Sequence, residues 1–200
     1  MESYHHTSVN HNRFYAGIGS RETPSDIQEI MLEIGMILAQ KGYVLRSGHA
    51  PGADLAFEMG CDSVAGVKRI YVPRKGDHGI YVENPPSTQI LATPAAHEIA
   101  AKFHPAWDKC SAYARGMHAR NVHIMFGKDL IHPVKFVICW TPNGLITGGT
   151  GLALRIAEHH EIPVYNMGKT NTATQACLNA SGDNFSRSVK IALAANLNVY

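Results

Sequence analysis

Short apolar runs alternate with amphipathic segments along the first part of the chain, and this alternation constrains the fold more than any other feature. Residues 13–20, 43–48 and 67–73 are apolar runs of strand length, and residues 23–42 and 52–66 between them have helical spacing. Strands that alternate with helices in this way pair in parallel through right-handed crossovers. The sequence therefore predicts an α/β fold: a single Rossmann-like domain with an open, mostly parallel sheet and helices on both faces.

The rest of the chain continues the pattern after one interruption. Residues 74–93 contain Gly76, Gly79, Pro85 and Pro86 without a clear period, which predicts a long loop. Further helices are predicted over residues 94–103, with Thr93 as the cap, and over residues 106–126, 149–160 and 186–195. Further strands are predicted at residues 134–140, whose continuous apolar character is typical of the centre of a parallel sheet, and at residues 162–166.

The domain limits and the cell compartment follow from the termini and from the lack of long apolar runs. Residues 1–12 are polar and predict a short N-terminal arm, and residues 13–200 predict one domain. No apolar run approaches the roughly 18 residues of a membrane span, and the first residues lack the apolar core of a secretory signal. We expect a cytoplasmic protein that does not enter the membrane.

Charge, cysteines and histidines restrict the classes of function. The formal net charge is only +2, so no global basic field attracts nucleic acid, although a local patch remains open. The four cysteines lie far apart, which indicates reduced thiols; they are Cys61, Cys110, Cys139 and Cys177. The twelve histidines do not show metal-ligand spacing: His118 and His123 are five residues apart, and His159 and His160 are adjacent. We therefore predict no metal site and no cofactor.

Three glycine-containing turns join strands to helices and predict an anion site. The carboxyl ends of parallel strands share one edge of the sheet, where ligands bind near the reversal of strand order. Free N–H groups at helix starts attract anions there. Glycines permit close backbone approach, and Gly149 in particular is predicted to need positive φ. The predicted nucleotide- or phosphate-binding residues of these turns are Gly19, Ser20, Arg21, Ser47, Gly48, Gly52, Thr147, Gly148, Gly149, Thr150 and Gly151.

Arginines on the predicted long helix complete the candidate site. Arg115 and Arg120 join Arg21 as predicted phosphate partners, because guanidinium offers a planar pair of donors. Arg115 and Arg120 lie about 140° apart around a helix, so both reach one site only if that helix crosses the mouth of the pocket. Weaker candidates are Arg46 and Arg155 for the anion, and Tyr15 and Trp140 for stacking on a base. Neither G-x-G-x-x-G nor a lysine-containing P-loop occurs, which argues against a standard dinucleotide enzyme or P-loop ATPase.

Several motifs carry a resemblance to a known family. "GIGSR", followed by an amphipathic helix and "LRSGHAPGAD", resembles the Rossmann-type core of the DNA-processing protein A (DprA/Smf) family, and "LITGGTGLALRIAEHHEIPVYN" is similar to its last strand–turn–helix unit. The wider group includes the LOG-type nucleotide phosphoribohydrolases and the Moco-carrier-like proteins. "GMHARNVHIM" is similar to the LOG arginine motif and places Arg120 on the family arginine. The resemblance covers residues 14–166 and places the family's phosphate-contacting arginine at Arg21.

The resemblance implies a binding function and leaves catalysis open. It implies a nucleotide or single-stranded DNA as ligand and a role in recombination with a RecA-type recombinase as partner; a homo-oligomer stays open. The LOG-type enzymes carry glutamates where this chain has Ala119, Ala153, Leu154 and Arg155. The net charge of +2 is low for neutralising several phosphates of a strand. The alternatives are a nucleotide N-glycosidase and a non-catalytic sensor or sponge for a nucleotide signal.

An N-glycosidase needs a carboxylate as acid, base or cation stabiliser. The carboxylates near the three turns are Glu22, Asp54 and Glu58. Asp54 is the best placed, because it opens the second helix. Glu22, in the glycine-containing turn after the first strand, is the second candidate. A first-turn acidic residue is also favoured by the helix dipole alone, so a purely structural role for Asp54 stays open.

Overall fold

The computed structural model describes residues 13–77 and 89–169, which form one α/β domain. All strand pairs are parallel, and the sheet order is β4-β3-β2-β1-β5-β6. The strands are β1 (Phe14–Gly19), β2 (Val44–Ser47), β3 (Lys68–Val72), β4 (Gln89–Leu91), β5 (Val137–Trp140) and β6 (Val164–Asn166). The helices are α1 (Ser25–Gln40), α2 (Ala53–Asp62), α3 (Pro94–Phe103), α4 (Ala112–Phe126) and α5 (Gly151–His159). The predicted fold class is confirmed.

Strand order reverses next to β1. The chain builds outward from β1 through β2 and β3 to β4, and then returns to the other side of β1 with β5. Ala16 of β1 is in register with Arg46 of β2 and with Val137 of β5, so β1 is hydrogen-bonded on both edges. The carboxyl ends of β1 and β5 diverge into separate turns, which leaves a crevice between them.

The two faces of the sheet carry different helices because side chains alternate along each strand. Phe14, Ala16 and Ile18 belong to the core cluster under α3, α4 and α5. Tyr15 points to the other face and packs in the cluster with α1 and α2. Helices therefore cover both faces, and the strand ends stay open at the edge that holds the predicted turns.

Two helix and strand predictions were wrong. Residues 74–93 were predicted as a loop, but β4 lies within them and pairs with β3, where three residues suffice for an edge strand. The helix predicted over residues 106–126 is interrupted: Trp107–Lys109 form a 3-10 turn, and α4 starts after Ser111, whose hydroxyl accepts a hydrogen bond from the Ala114 N–H. The serine cap lies inside the predicted apolar pattern and ends its continuity.

The two threonines that precede helices behave differently. Thr93 caps α3 as predicted, accepting from the Ala96 N–H at 3.4 Å. Thr23 precedes α1 but does not cap it: its hydroxyl donates to the Ser20 carbonyl at 2.7 Å, and Pro24 occupies the cap position. The predicted N-terminal arm, the predicted helix at residues 186–195 and Cys177 lie outside the described residues.

Two further findings concern the described cysteines and helices. Cys61, Cys110 and Cys139 are free thiols. Among the helices of residues 13–77 and 89–169, none is both long and apolar enough to cross a membrane.

Candidate anion-binding cleft

A cleft of about 780 Å³ opens at the carboxyl ends of β1 and β5, where strand order reverses. Three turns and the exposed side of α4 form its walls. The residues that line the cleft include Gly19, Ser20, Arg21, Glu22, Asp54, His104, Tyr113, His118, Arg120, Asn121, Thr147, Gly148, Gly149, Thr150 and Arg155. The cleft thus brings together residues that lie more than a hundred positions apart in the chain.

Asp54 binds three backbone donors of the first two turns. One carboxylate oxygen accepts from the Gly19 N–H at 3.1 Å, and the other accepts from the Gly48 and Ala50 N–H groups at 3.2 and 3.4 Å. The carboxylate is only 4% exposed and lies 3.3 Å from the Arg120 guanidinium. An internal carboxylate therefore fills the cradle that the sequence predicted for a ligand anion at these two turns.

Arg120 reaches Asp54 across the cleft floor because the second turn leaves room for it. A side chain on Gly48 would start 1.0 Å from an Arg120 Nη atom, so this position must be glycine for the arginine to pass. The Arg120 side chain is 5% exposed, and its Nε is buried without a partner among the described residues. Burial raises the pKa of Asp54, the Arg120 charge acts to lower it, and Glu58 raises it further.

The third turn holds three consecutive free donors within the described part of the chain. The N–H groups of Gly148, Gly149 and Thr150 donate to no acceptor within the described part of the chain. Asn121 on α4 donates to the Gly149 carbonyl at 2.8 Å and orients the turn. The positive φ falls on Gly148, at 62°, and not on Gly149, which corrects that prediction. These three N–H groups precede α5, an arrangement that suits an anion.

Two arginines and one carboxylate face the cleft without a partner among the described residues. Arg21 is exposed at the first turn, and Arg155 is half-buried on α5. The Glu22 side chain is exposed and likewise unpaired, although its N–H donates to the Ser20 hydroxyl. Since Asp54 and Arg120 neutralise each other, Arg21 and Arg155 carry the positive charge that an incoming anion meets.

Several predicted residues support the cleft from outside its lining. The Ser47 hydroxyl donates to the Gly17 carbonyl at 2.7 Å, Gly52 caps α2, and Gly151 begins α5. Arg115 turns away from Arg120: it donates to the carbonyls of Trp107 and Asp108 at 3.3 Å and lies over the Trp107 ring. Helix α4 therefore presents one arginine to the cleft and not two.

The weaker candidates also separate. Arg46 is buried over the Phe14 ring, and Tyr15 is fully in the core. Trp140 packs against the α1 and α2 cluster. Glu58 is buried beside His49 and Lys68, at 3.0 and 3.3 Å, and does not line the cleft. Arg155, in contrast, belongs to the cleft wall.

Residues that sequence reasoning missed form the wall opposite the glycine turns. Tyr113, His104 and His118 line it, together with Asn121. Tyr113, His118 and Asn121 lie on α4, and His104 precedes the 3-10 turn, so the continuous helix predicted over residues 106–126 did not bring these side chains together. The capping serine at position 111 is the signal that could have revealed the break.

Comparisons with known proteins support the fold. No protein-family model matches the sequence, and a search of curated proteins also finds no match. Among solved structures, the chain is similar to DNA processing protein A from Helicobacter pylori, which is described as binding single-stranded DNA. The TM-score is 0.54 at 16% sequence identity, and the match covers 94% of this chain and 83% of that chain. The chain shares that protein's fold.

A second similar structure is the Moco carrier protein of Chlamydomonas rheinhardtii. Its TM-score is 0.47 at 15% identity, covering 92% of this chain and 98% of that chain. At such identities the likeness concerns the course of the backbone, so the function has to be argued from the cleft itself.

Proposed function

We propose that this protein binds the phosphate group of a nucleotide, either free or as one unit of single-stranded DNA, in the cleft between β1 and β5. The observation that carries the proposal is the third turn, where three consecutive N–H groups at the start of α5 have no acceptor among residues 13–77 and 89–169. Arg21 and Arg155 face the same space without partners among the described residues. Backbone donors, a helix start and two guanidinium groups are the chemistry that recognises phosphate.

The size and charge of the cleft favour a single nucleotide unit. A volume of about 780 Å³ falls in the range of small-molecule sites. Two unpaired arginines match one or two phosphates rather than a long phosphate track. Tyr113 is 41% exposed at the cleft wall; Arg74 lies over its ring, so a base would have to stack on the other ring face. A longer strand would place its other nucleotides outside the cleft.

The similarity to a single-stranded-DNA-binding protein supports DNA as one source of this phosphate through the shared fold. A role in recombination, a RecA-type partner and a cytoplasmic location are implied by the sequence resemblance or the composition, and they stay predictions; a homo-oligomer stays open.

A nucleotide N-glycosidase is the second candidate, and Glu22 is the observation that favours it. Its carboxylate faces the cleft without a partner among the described residues. Asp54 is a poorer acid or base, because both of its oxygens already accept hydrogen bonds from the backbone. If a base is released from a nucleotide in this cleft, we expect Glu22 to act on it and Asp54 to hold the turns.

The binding proposal is tested with Arg21→Ala and Arg155→Ala. Each should weaken binding of a nucleoside monophosphate by ~1.5–3 kcal/mol, the scale of a hydrogen bond to a charged group. The matched control is Arg13→Ala, since Arg13 is exposed and bonds the Lys41 carbonyl at the opposite end of β1. Calorimetric titration measures all three, and thermal unfolding checks that each variant is folded.

Wild-type affinity in both folded cleft variants would contradict the proposal. The same titration with a nucleoside that lacks phosphate should show little heat. Incubation with a panel of nucleoside monophosphates separates the two candidates: free base that disappears in Glu22→Gln indicates the glycosidase, and tight binding without base release indicates a binding protein or sensor.

A further inference from the structure

Two histidines and a cysteine converge at the outer wall of the cleft. His104 follows α3, Cys110 lies between the 3-10 turn and α4, and His118 sits in the middle of α4. One ligand atom from each lies within 4.8 Å of the others. The break between the 3-10 turn and α4 is what folds Cys110 back toward both imidazoles, so the group is not visible as a sequence motif.

The spacing of the three ligand atoms suits a tetrahedral ion. Cys110 Sγ lies 3.7 Å from both ring nitrogens of His104. The rings of His104 and His118 are 4.3 Å apart between centroids. In a tetrahedral zinc site, Zn–S and Zn–N bonds of about 2.3 and 2.0–2.1 Å put neighbouring ligand atoms about 3.3–3.6 Å apart. Small side-chain rotations therefore bring all three onto one ion.

The ligand atoms are available for a metal. The Nδ1 atom of His118 is buried and has no hydrogen-bond partner among the described residues, which is costly for a polar atom. His104 Nδ1 is the unprotonated nitrogen of its ring, because it accepts a hydrogen bond from the Ala106 N–H at 3.2 Å. A metal ion bound to Nδ1 would displace that N–H. Each ring then contributes its unprotonated nitrogen.

Cys110 differs from the other described cysteines. Burial raises the pKa of Cys61 to about 11 and that of Cys139 to about 12, which keeps both as inert core thiols. Cys110 is only half-buried, and its thiol donates to the Ala106 carbonyl at 3.6 Å. A divalent ion would displace its proton and bind the thiolate. The negative charge of the thiolate would also offset the positive charges of Arg120 and Arg155, which act to lower the pKa of His118.

We propose that His104, Cys110 and His118 form a site for a soft divalent metal ion, with zinc as the best match to this ligand set. Nitrogen and thiolate ligands select such ions over magnesium or calcium. Three protein ligands leave a fourth position open, as in catalytic rather than structural zinc sites. His104 and His118 both line the cleft, so the open position faces the space where an anion would lie.

The test uses the full-length, reduced, metal-free protein and zinc alone, without nucleotide. Competition with a chromophoric zinc chelator should give one ion per chain. Cys110→Ser and His104→Gln should each weaken binding at least about tenfold, since even the loss of an outer hydrogen-bond partner of a metal ligand costs about 10–100-fold. The matched control is His132→Asn, because His132 is a partly exposed histidine that pairs with Asp129 outside the group.

Cobalt substitution identifies the ligands directly. Co²⁺ should produce a thiolate-to-metal charge-transfer band in the wild type that Cys110→Ser removes and His132→Asn retains. Absence of stoichiometric zinc binding in the folded wild type would overturn the proposal. So would unchanged zinc affinity and an unchanged cobalt band in Cys110→Ser. Because no nucleotide is present, the result does not depend on whether the cleft binds phosphate.

Peptide mapping after alkylation gives an independent readout that needs no variant. Iodoacetamide should label Cys110 in the metal-free protein, and one equivalent of zinc should suppress that label. Labelling of Cys110 at the same rate with and without zinc would contradict the proposal.

Discussion

Asp54 shows how a single side chain can change the meaning of a glycine-rich turn. Turns one and two have the composition of an anion cradle, yet three of their N–H groups already bind the protein's own carboxylate. Asp54 thereby joins the end of β1 to the turn after β2, and Arg120 balances its charge. The residue predicted as the leading catalytic candidate is therefore better explained as a positioning residue that fixes the cleft floor.

Asp54→Asn should destabilise the protein by ~3–5 kcal/mol, the scale for breaking a buried ion pair by removing one partner. The amide presents an NH₂ group to backbone donors and leaves Arg120 buried without a counter-charge. Urea unfolding measures the loss. Asp26→Asn makes the same chemical change on an exposed first-turn carboxylate of α1 and should stay within about 0.5 kcal/mol of wild type.

A double variant shows whether the broken Asp54–Arg120 ion pair causes this loss of stability. Asp54→Asn combined with Arg120→Met should lose less stability than the sum of the single changes, because the uncompensated charge is gone. A loss below about 1 kcal/mol in Asp54→Asn would mean that the carboxylate does not hold the turns together.

His123 predicts a specific pH dependence of stability. Its ring is fully buried: Nδ1–H donates to the Gly127 carbonyl at 2.9 Å, and Nε2 accepts from the Thr93 N–H at 3.1 Å. Burial lowers the pKa of His123, against the opposing Gly127 hydrogen bond. The unfolded chain therefore binds a proton at a higher pH than the folded one, and stability falls as the pH drops below the ordinary histidine value of about 6.5.

The free energy of unfolding, measured in urea between pH 7 and pH 5, should decline more steeply in wild type than in His123→Gln. Glutamine can occupy the same contacts without titrating in this range. Equal slopes in the two proteins would show that His123 does not titrate differently on folding.

At the scale of elements, the third turn separates two roles that glycine plays. Gly148 has a φ of 62°, and Gly149 has no positive φ. A side chain added at either position would meet open space. Gly148→Ala should therefore cost about 1 kcal/mol of stability from backbone strain. Gly149→Val should leave stability nearly unchanged but weaken nucleotide binding at least about tenfold, because its side chain would stand over the free N–H groups.

Thermal unfolding and calorimetric titration of these two variants distinguish the roles. Normal nucleotide binding by folded Gly149→Val would mean that the turn serves only to pack α5 against the sheet.

Elements also show what local sequence signals can predict. Apolar runs located all five strands outside the 74–93 segment, and the Thr93 cap placed α3 correctly, because these signals act within a few residues. The short edge strand β4 and the Ser111 break were missed, since pairing with β3 and folding back of the 3-10 turn are tertiary effects. The wall made by His104, Tyr113 and His118 depends on that break.

At the scale of the whole molecule, topology determines where the cleft lies. The expected edge followed from the strand–helix alternation, and the reversal of strand order places the cleft beside β1. Most of the predicted turn residues line it. The sequence could not predict which turn donors stay free, because that depends on Asp54, which approaches the Gly19 N–H across 35 residues of chain.

The low net charge of +2 agrees with a site for one phosphate group rather than for an extended strand. The salt dependence of binding distinguishes one phosphate site from an extended track, because each phosphate contact with a single strand adds ~0.7 to the slope of log affinity against log salt. We would measure that slope for a nucleoside monophosphate and for oligothymidylates of increasing length. A site for one or two phosphates should give a slope of about −0.7 to −1.4 that does not grow with oligonucleotide length. A slope steeper than about −3 that increases with length would contradict it and indicate a phosphate track outside the cleft.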